Sequence, residues 1–148
     1  MSNNNAGSED PAASLMDAIL MASRRLRSWM REGSGVTVPQ FRVLSFLHAR
    51  DGSSLSELAS HLGVTPPSAS RLVESMASRG LLKVEEDPRD RRRLLLRLTD
   101  SGMGTLSSAR AYALSALSGR LSGIPREEVL TASAVLRTLA GGDRDDRD

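Results

Sequence analysis

Two stretches of the chain carry side chains whose types and spacing suit a definite chemistry. The first is Thr65-Pro-Pro-Ser-Ala-Ser-Arg71. Ser68 and Ser70 can donate to or accept from the edges of nucleic-acid bases, and Arg71 can pair with guanine O6 and N7 or grip a phosphate. Arg71 can equally be neutralised by Glu74 or Glu85. Thr65, Pro66 and the free N–H groups of a first helical turn suit a phosphate oxygen; Ser54, opening an earlier helix, is counted with them. The second stretch sets Arg89, Arg91, Arg92 and Arg93 against Asp87 and Asp90. Such a run is either a solvated turn or a probe, because an arginine on a hairpin tip can enter a narrow A·T minor groove, where the potential is most negative. In the second case Asp87 and Asp90 are expected to hold the guanidinium groups in place.

Other chemistries have little to stand on. His48 and His61 lie on separate helical segments with no local ligand partner, and no HExxH, GxSxG, GxGxxG or GxxxxGK[ST] string occurs. The acid pairs Glu85-Glu86 and Glu127-Glu128 are adjacent in sequence, so their side chains diverge rather than share a site. There is no cysteine, which removes disulfides, thiolate metal sites and thiol redox sensing. An enzyme is not expected, nor a cofactor or metal.

The elements that must position these residues follow from periodicity and caps. Leu15, Ile19, Ala22, Leu26 and Trp29 recur at heptad-like spacing on a first helix that opens at Asp10-Pro11 or at Ser14 and ends near Gly33. It is either an ordinary core helix or a dimer helix. Thr37 and Gln40 have the form of a capping box for a second helix with Phe41, Val43, Leu44, Phe46 and Leu47 inward; Ser54 and Glu57 repeat it for a short third. Only Val64 separates Gly63 from Thr65, the cap of a fourth helix with Pro66 in its first turn, so the pair reads as a helix-turn-helix. In the fourth helix Ala69, Leu72, Val73 and Met76 share one side, with Pro67, Arg71, Glu74 and Ser78 opposite. Leu82 and Val84, then Leu94, Leu96 and Leu98, alternate with polar residues as two strands of a hairpin. Thr99-Asp100 caps a long fifth helix bearing Met103, Leu106, Tyr112, Ala113, Leu114 and Leu117; a sixth starts at Pro125 with Glu127 and Glu128 in its first turn.

A chain of 148 residues can bury one real core. With Trp29, Phe41, Phe46 and Tyr112 its only aromatics, that core must rest on Leu, Val, Met and Ala. The formal charge of +2 understates the basic character, since acid is concentrated at the ends, in Glu9, Asp10, Asp143, Asp145, Asp146 and Asp148. Lys83 is the single lysine; a GC-rich genome explains that arginine bias better than functional choice does. No apolar run approaches the roughly 18 residues of a membrane span, and the polar start has no signal-peptide pattern, so a cytoplasmic protein is expected.

This order of elements, with the run LSELASHLGVTPPSASRLVESMASRGLLKVEEDPRDRRRLLLRLTDSG, resembles the MarR family of bacterial regulators. The likeness covers roughly Ser14 to Ala140 and includes a D-x-R-D-x-R wing at Asp87, Arg89, Asp90 and Arg92 and a T-x-x-Q opening at Thr37 and Gln40. It implies a mainly α fold with a small β-hairpin wing. The expected organisation is a disordered arm over residues 1–13, a dimerisation helix over 14–36, a winged helix-turn-helix over 37–98, dimerisation helices over 99–140 and a disordered tail over 141–148. It further implies a homodimeric repressor on a palindromic double-stranded operator, released by a small lipophilic or phenolic effector. In the family the arginine matching Arg89 enters the minor groove and the aspartate matching Asp87 supports the wing. The chain departs from the pattern in having no thiol to oxidise and few aromatics for a stacking pocket. Trp29, Met30, Phe41, Arg42, His48 and Tyr112 are the effector candidates, each weighed against plain core or surface. Two alternatives remain open: the same regulator without a physiological ligand, and a winged-helix module that uses its arginines to bind an acidic protein partner.

Overall fold

A computed structural model describes residues 10–141. Six helices and one hairpin follow in the order α1 (Pro11–Ser34), α2 (Val38–Ala49), α3 (Leu55–Leu62), α4 (Pro66–Ser78), β1 (Leu82–Asp87), β2 (Asp90–Leu98), α5 (Asp100–Leu121) and α6 (Arg126–Leu139). Helix α1 opens at Pro11, the earlier of the two starts and ahead of the 14–36 span expected for this helix. The Asp10 carboxylate accepts from the Ala12 N–H at 3.0 Å, and a proline in the first turn has no N–H to leave unpaired. The remainder of the expected N-terminal arm, residues 1–9, and the tail from residue 142 lie outside the described residues.

Both capping boxes form. Thr37 accepts from the Gln40 N–H while Gln40 accepts from the Thr37 N–H, and Ser54 and Glu57 make the same reciprocal pair. These starts aim α2 and α3 into a core of Val36, Val43, Leu44, Phe46, Leu47, Leu58, Leu62, Val73, Met76, Leu81, Leu82, Leu96 and Leu106. Helix α5 approaches this core through small residues, with Gly102 and Ala109 buried beside Leu106. A Cβ at Gly102 would lie 1.9 Å from the Leu81 carbonyl oxygen, so only glycine allows that approach.

The hairpin pairs Leu82 with Leu98, Val84 with Leu96 and Glu86 with Leu94. At its base Leu82 and Leu96 are buried and Leu98 is half-buried, as the alternation expects, but Leu95 on the other face of β2 is buried as well. The alternation fails at Val84 and Leu94, which are exposed, Val84 although it stands opposite the buried Leu96. The turn is also tighter than the loop expected from Asp87 to Arg92. Only Pro88 and Arg89 join the strands, and Arg91 and Arg92 lie in β2.

The described chain falls into two units that divide inside α5, between Ala113 and Leu114. The first holds the core and hairpin. The second, from Leu114 through α6, has no buried residue in α6 and leaves Leu114, Leu117, Leu130, Val135, Leu136 and Leu139 exposed. Within the first unit, α1 buries only Met30 and leaves Leu15, Met16, Leu20, Met21 and Leu26 exposed.

Candidate nucleic-acid interface

The turn between α3 and α4 is built from three local features. Gly63 takes φ +69°, a conformation that costs a side-chain-bearing residue about 1 kcal/mol or more, and its N–H closes on the Ser60 carbonyl at 3.2 Å. Thr65 then caps α4 by accepting from the Ser68 N–H at 3.4 Å, and Pro66 occupies the first helical position. From α2, the Arg42 guanidinium donates to the carbonyls of His61 (3.0 Å) and Leu62 (3.2 Å), which otherwise end α3 without partners. Arg42, an effector candidate on sequence grounds, therefore clamps the helix-turn-helix.

Helix α4 rests on Ala69, Val73 and Met76 and presents Pro67, Ser68, Arg71 and Glu74 to solvent. Ser70 is half-buried on the flank, and its hydroxyl donates to Glu74 at 2.9 Å. Thr65 and Ser68 hydroxyls are 3.0 Å apart. Arg71 forms no ion pair among the described residues. Its expected competitors are engaged elsewhere, Glu74 with Ser70 and Glu85 with Lys83 and Arg97. The face opposite the core thus offers one uncommitted guanidinium.

At the wing the aspartates do a different job from the one expected. Asp87 accepts from the Arg89 backbone N–H at 2.9 Å and Asp90 from the Arg92 backbone N–H at 3.0 Å. Neither carboxylate is bound to a guanidinium, so the two acids shape the turn rather than hold arginine side chains. A short acidic side chain bonding the backbone two residues on is the lowest-strain use of aspartate in a tight turn. Arg89 is left exposed at the tip, with Arg91 and Arg92 exposed behind it.

The remaining wing arginines are spent internally. Arg93 reaches Glu57 at 3.3 Å, and Arg97 binds Glu85 at 2.9 Å and also Asp51. The Glu57 carboxyl is held below the ordinary glutamate range, chiefly by the Ser54 backbone N–H, then by the Ser54 hydroxyl and Arg93. Ser54, counted with the DNA-facing residues from sequence, has its hydroxyl 2.7 Å from Glu57 and serves as the α3 cap. The partnership of Asp51 with Arg97 was not anticipated. Alternation places Arg93 and Arg97 on one face of β2, but no sequence signal points either of them to an acid on another element.

The effector candidates differ in their surroundings. Met30 is buried, Phe41 packs against the core, and His48 is exposed on α2. Tyr112 donates to Glu32 at 3.2 Å, and its ring presses on Gly33, where a Cβ would lie 2.4 Å from the Tyr112 Cβ. Ser28 also donates to Glu32, at 2.7 Å; these two bonds, the Ser28 one first, lower the Glu32 carboxyl, and the bond to Glu32 raises the Tyr112 phenol. Trp29 is half-buried. Among the described residues no group of three or more His, Cys, Asp or Glu is placed to hold a metal ion, and no helix is long and apolar enough to cross a membrane.

A helix-turn-helix with an exposed arginine and serines, followed by an arginine-tipped hairpin, matches known proteins along most of its length. Residues 34–93 match the model of the MarR family. The chain is 30% identical over 117 residues to the HTH-type transcriptional regulator Mb0904 of Mycobacterium bovis, covering 79% of this chain and 81% of that one. The chain belongs to the MarR family. It is 28% identical over 109 residues to the HTH-type transcriptional repressor MdtR of Bacillus subtilis, covering 74% of this chain and 70% of that one. Its fold superposes with a TM-score of 0.69 on the PcaV transcriptional regulator of Streptomyces coelicolor, solved with its natural ligand, at 25% identity over 95% of this chain and 97% of that one. As a MarR-family protein the chain is a DNA-binding transcriptional regulator with a winged-helix fold, not an enzyme. Arg71, which no acid neutralises among the described residues, and Arg89, which the wing carries at its tip, are both exposed.

Proposed function

We propose that this MarR-family chain is a homodimeric repressor that reads a palindromic operator with Arg71 in the major groove and Arg89 in the minor groove, and that a small molecule releases it. The observation that carries this reading is the division of the arginines. Arg93, Arg97 and Arg42 are committed to carboxylates or carbonyls, whereas Arg71 on α4 and Arg89, Arg91 and Arg92 on the wing are exposed without an acidic partner among the described residues, Arg89 being the one at the tip. A guanidinium already paired must break that pair to bind DNA, so the uncommitted ones bind at the lowest cost. Pro67, Ser68 and Ser70 complete the major-groove face; Thr65 and Pro66 open the turn toward a phosphate, and Arg91 and Arg92 lie near the backbone beside the wing.

Dimerisation is supported by the exposed apolar residues of α1, and separately by those of α6, faces that a lone soluble chain has no reason to leave uncovered. Two α4 helices reading one face of B-DNA must sit about 34 Å apart, and a dimer is the simplest way to set that distance. Repression has its support in the relative MdtR, a repressor by name. Effector release has its support in the PcaV structure, which holds its natural ligand. Of the six effector candidates, Trp29, Phe41, His48 and Tyr112 retain accessible surface, whereas Met30 and Arg42 are occupied by the core and the α3 clamp.

The test has two parts. Fragments selected on the protein from genomic DNA should share an inverted repeat with half-sites one helical turn apart, and binding should weaken steeply with salt. Sedimentation at micromolar concentration should give a dimer, and Leu20→Asp should reduce it. Recovery of fragments with no common motif, or a monomer that still binds specifically, would remove the operator reading.

A further inference from the structure

The wing's reach into DNA is only as accurate as its base. That base is tied to the turn after α2 by two backbone bonds, the Gly52 N–H to the Leu96 carbonyl (3.0 Å) and the Leu96 N–H to the Ser53 carbonyl (2.8 Å). Ser53, the one buried polar residue among the described residues, is itself anchored by donating to the Arg50 carbonyl at 2.8 Å. The side chain next to Leu96 is Arg97. It lies flat over Gly52, with its three terminal guanidinium atoms 3.4 Å from where a Cβ would stand there. One edge of the guanidinium binds Asp51 in the turn, and its Nε binds Glu85 across the hairpin at 2.9 Å. Lys83 closes on the other Glu85 oxygen at 2.5 Å. Three chain segments therefore meet on one side chain.

We propose that Arg97 is a positioning residue for DNA binding: with Asp51 and Glu85 it fixes the angle of the wing, and so the place of Arg89. This inference rests on the reading of Arg89 as a groove probe.

Geometry explains why such a residue should matter. From Arg97 to the turn, β2 runs seven residues, a lever of about 23 Å at roughly 3.3 Å per residue. An error of about 10° at the base then moves the tip by about 4 Å, most of the roughly 6 Å width of a minor groove. The ion pair farther out, Arg93 with Glu57, is a single contact at 3.3 Å between half-exposed side chains. Arg97 is not placed to bind DNA itself, because its donors already face two carboxylates. Nor does it serve mainly as a stability element, since ion pairs this exposed contribute about 0–1 kcal/mol. What the clamp supplies is direction.

The test is a double-mutant cycle between Arg97→Gln and Arg89→Ala in the full-length protein. The probe is a duplex recovered by selection from random DNA on the wild-type protein, with A·T or G·C pairs placed where the wing falls. Arg97→Gln should weaken binding to the A·T form about tenfold, or ~1.4 kcal/mol, when Arg89 is present, and less than about twofold when it is alanine. It should also narrow the preference for A·T over G·C, which a change in fold stability alone would not do. Asp51→Asn, which leaves the arginine in place, should reproduce the coupling, and it decides the matter if Arg97→Gln fails to fold. Equal losses in both Arg89 backgrounds, or no loss at all, would overturn the proposal. If Arg89→Ala itself costs nothing, the groove-probe reading fails and this inference with it. If Arg89→Ala weakens binding but the cycle shows no coupling, only this inference fails.

Discussion

Replacing Arg71 with alanine separates base reading from simple attraction to DNA. Arg71 is exposed, makes no ion pair among the described residues and stands on the face of α4 opposite Ala69, Val73 and Met76. The substitution therefore removes no contact that holds the fold, and alanine is at least as good a helix former, so the melting temperature should not fall. A bidentate arginine–guanine pair is worth about 1–3 kcal/mol of discrimination. A dimer places two such arginines on one operator, so the double loss should be about 2–6 kcal/mol, or roughly 30-fold to 10⁴-fold in Kd. Fluorescence anisotropy on the selected duplex and on a scrambled one, each at several salt concentrations, measures both parts. Base reading predicts a large loss on the selected duplex and a small one on the scrambled. A phosphate contact predicts equal losses on both, with the slope of log K against log salt reduced by about 0.9 for each contact removed. Equal losses with that slope change would refute the major-groove assignment of Arg71.

Three further outcomes follow from the same geometry. Gly102→Ala should destabilise the protein by about 3 kcal/mol or more in urea unfolding, because the new methyl meets a backbone oxygen that cannot step aside; an unchanged midpoint would show that α5 has another seat. Glu57 titrates below its ordinary range in the folded chain, so its share of stability is complete above the unfolded value and is lost as pH falls through the folded one. Melting curves of wild type and Glu57→Gln should accordingly converge as pH drops, whereas a constant offset would count against the capping interaction. Glu74→Gln removes a negative charge from the exposed side of α4 and should raise affinity for scrambled DNA at low salt, with little change in melting; no gain would mean that Glu74 stands clear of the phosphates.

Much of the fold was legible because its signals act over a few residues. The pairs Thr37 with Gln40 and Ser54 with Glu57, and the Thr65-Pro66 start, bond within one helical turn. Their effect hardly depends on what surrounds them. The apolar spacing of α4 likewise decided which side faces inward, and so which side was left for DNA. Periodicity misled at particular positions. Val84 and Leu94 alternate correctly but are exposed, while Gly102 and Ala109, too small to register as apolar positions, are buried beside Leu106 where α5 packs.

For the candidate site, the residue types alone determined that the chemistry would be cationic, hydrogen-bonding and suited to DNA, with Arg71 and Arg89 among the probes. Only the tertiary structure decided which arginines are free to act. Arg42 clamps carbonyls 19 and 20 residues away, Arg93 meets an acid 36 residues away, and Arg97 one 46 residues away. An arginine side chain is long and flexible and can reach any of several acids, and no short-range preference selects among them. For Arg93 and Arg97 the selection is made when packing brings α3 and the α2–α3 turn against the hairpin, and it leaves Arg89 at the tip without such a partner.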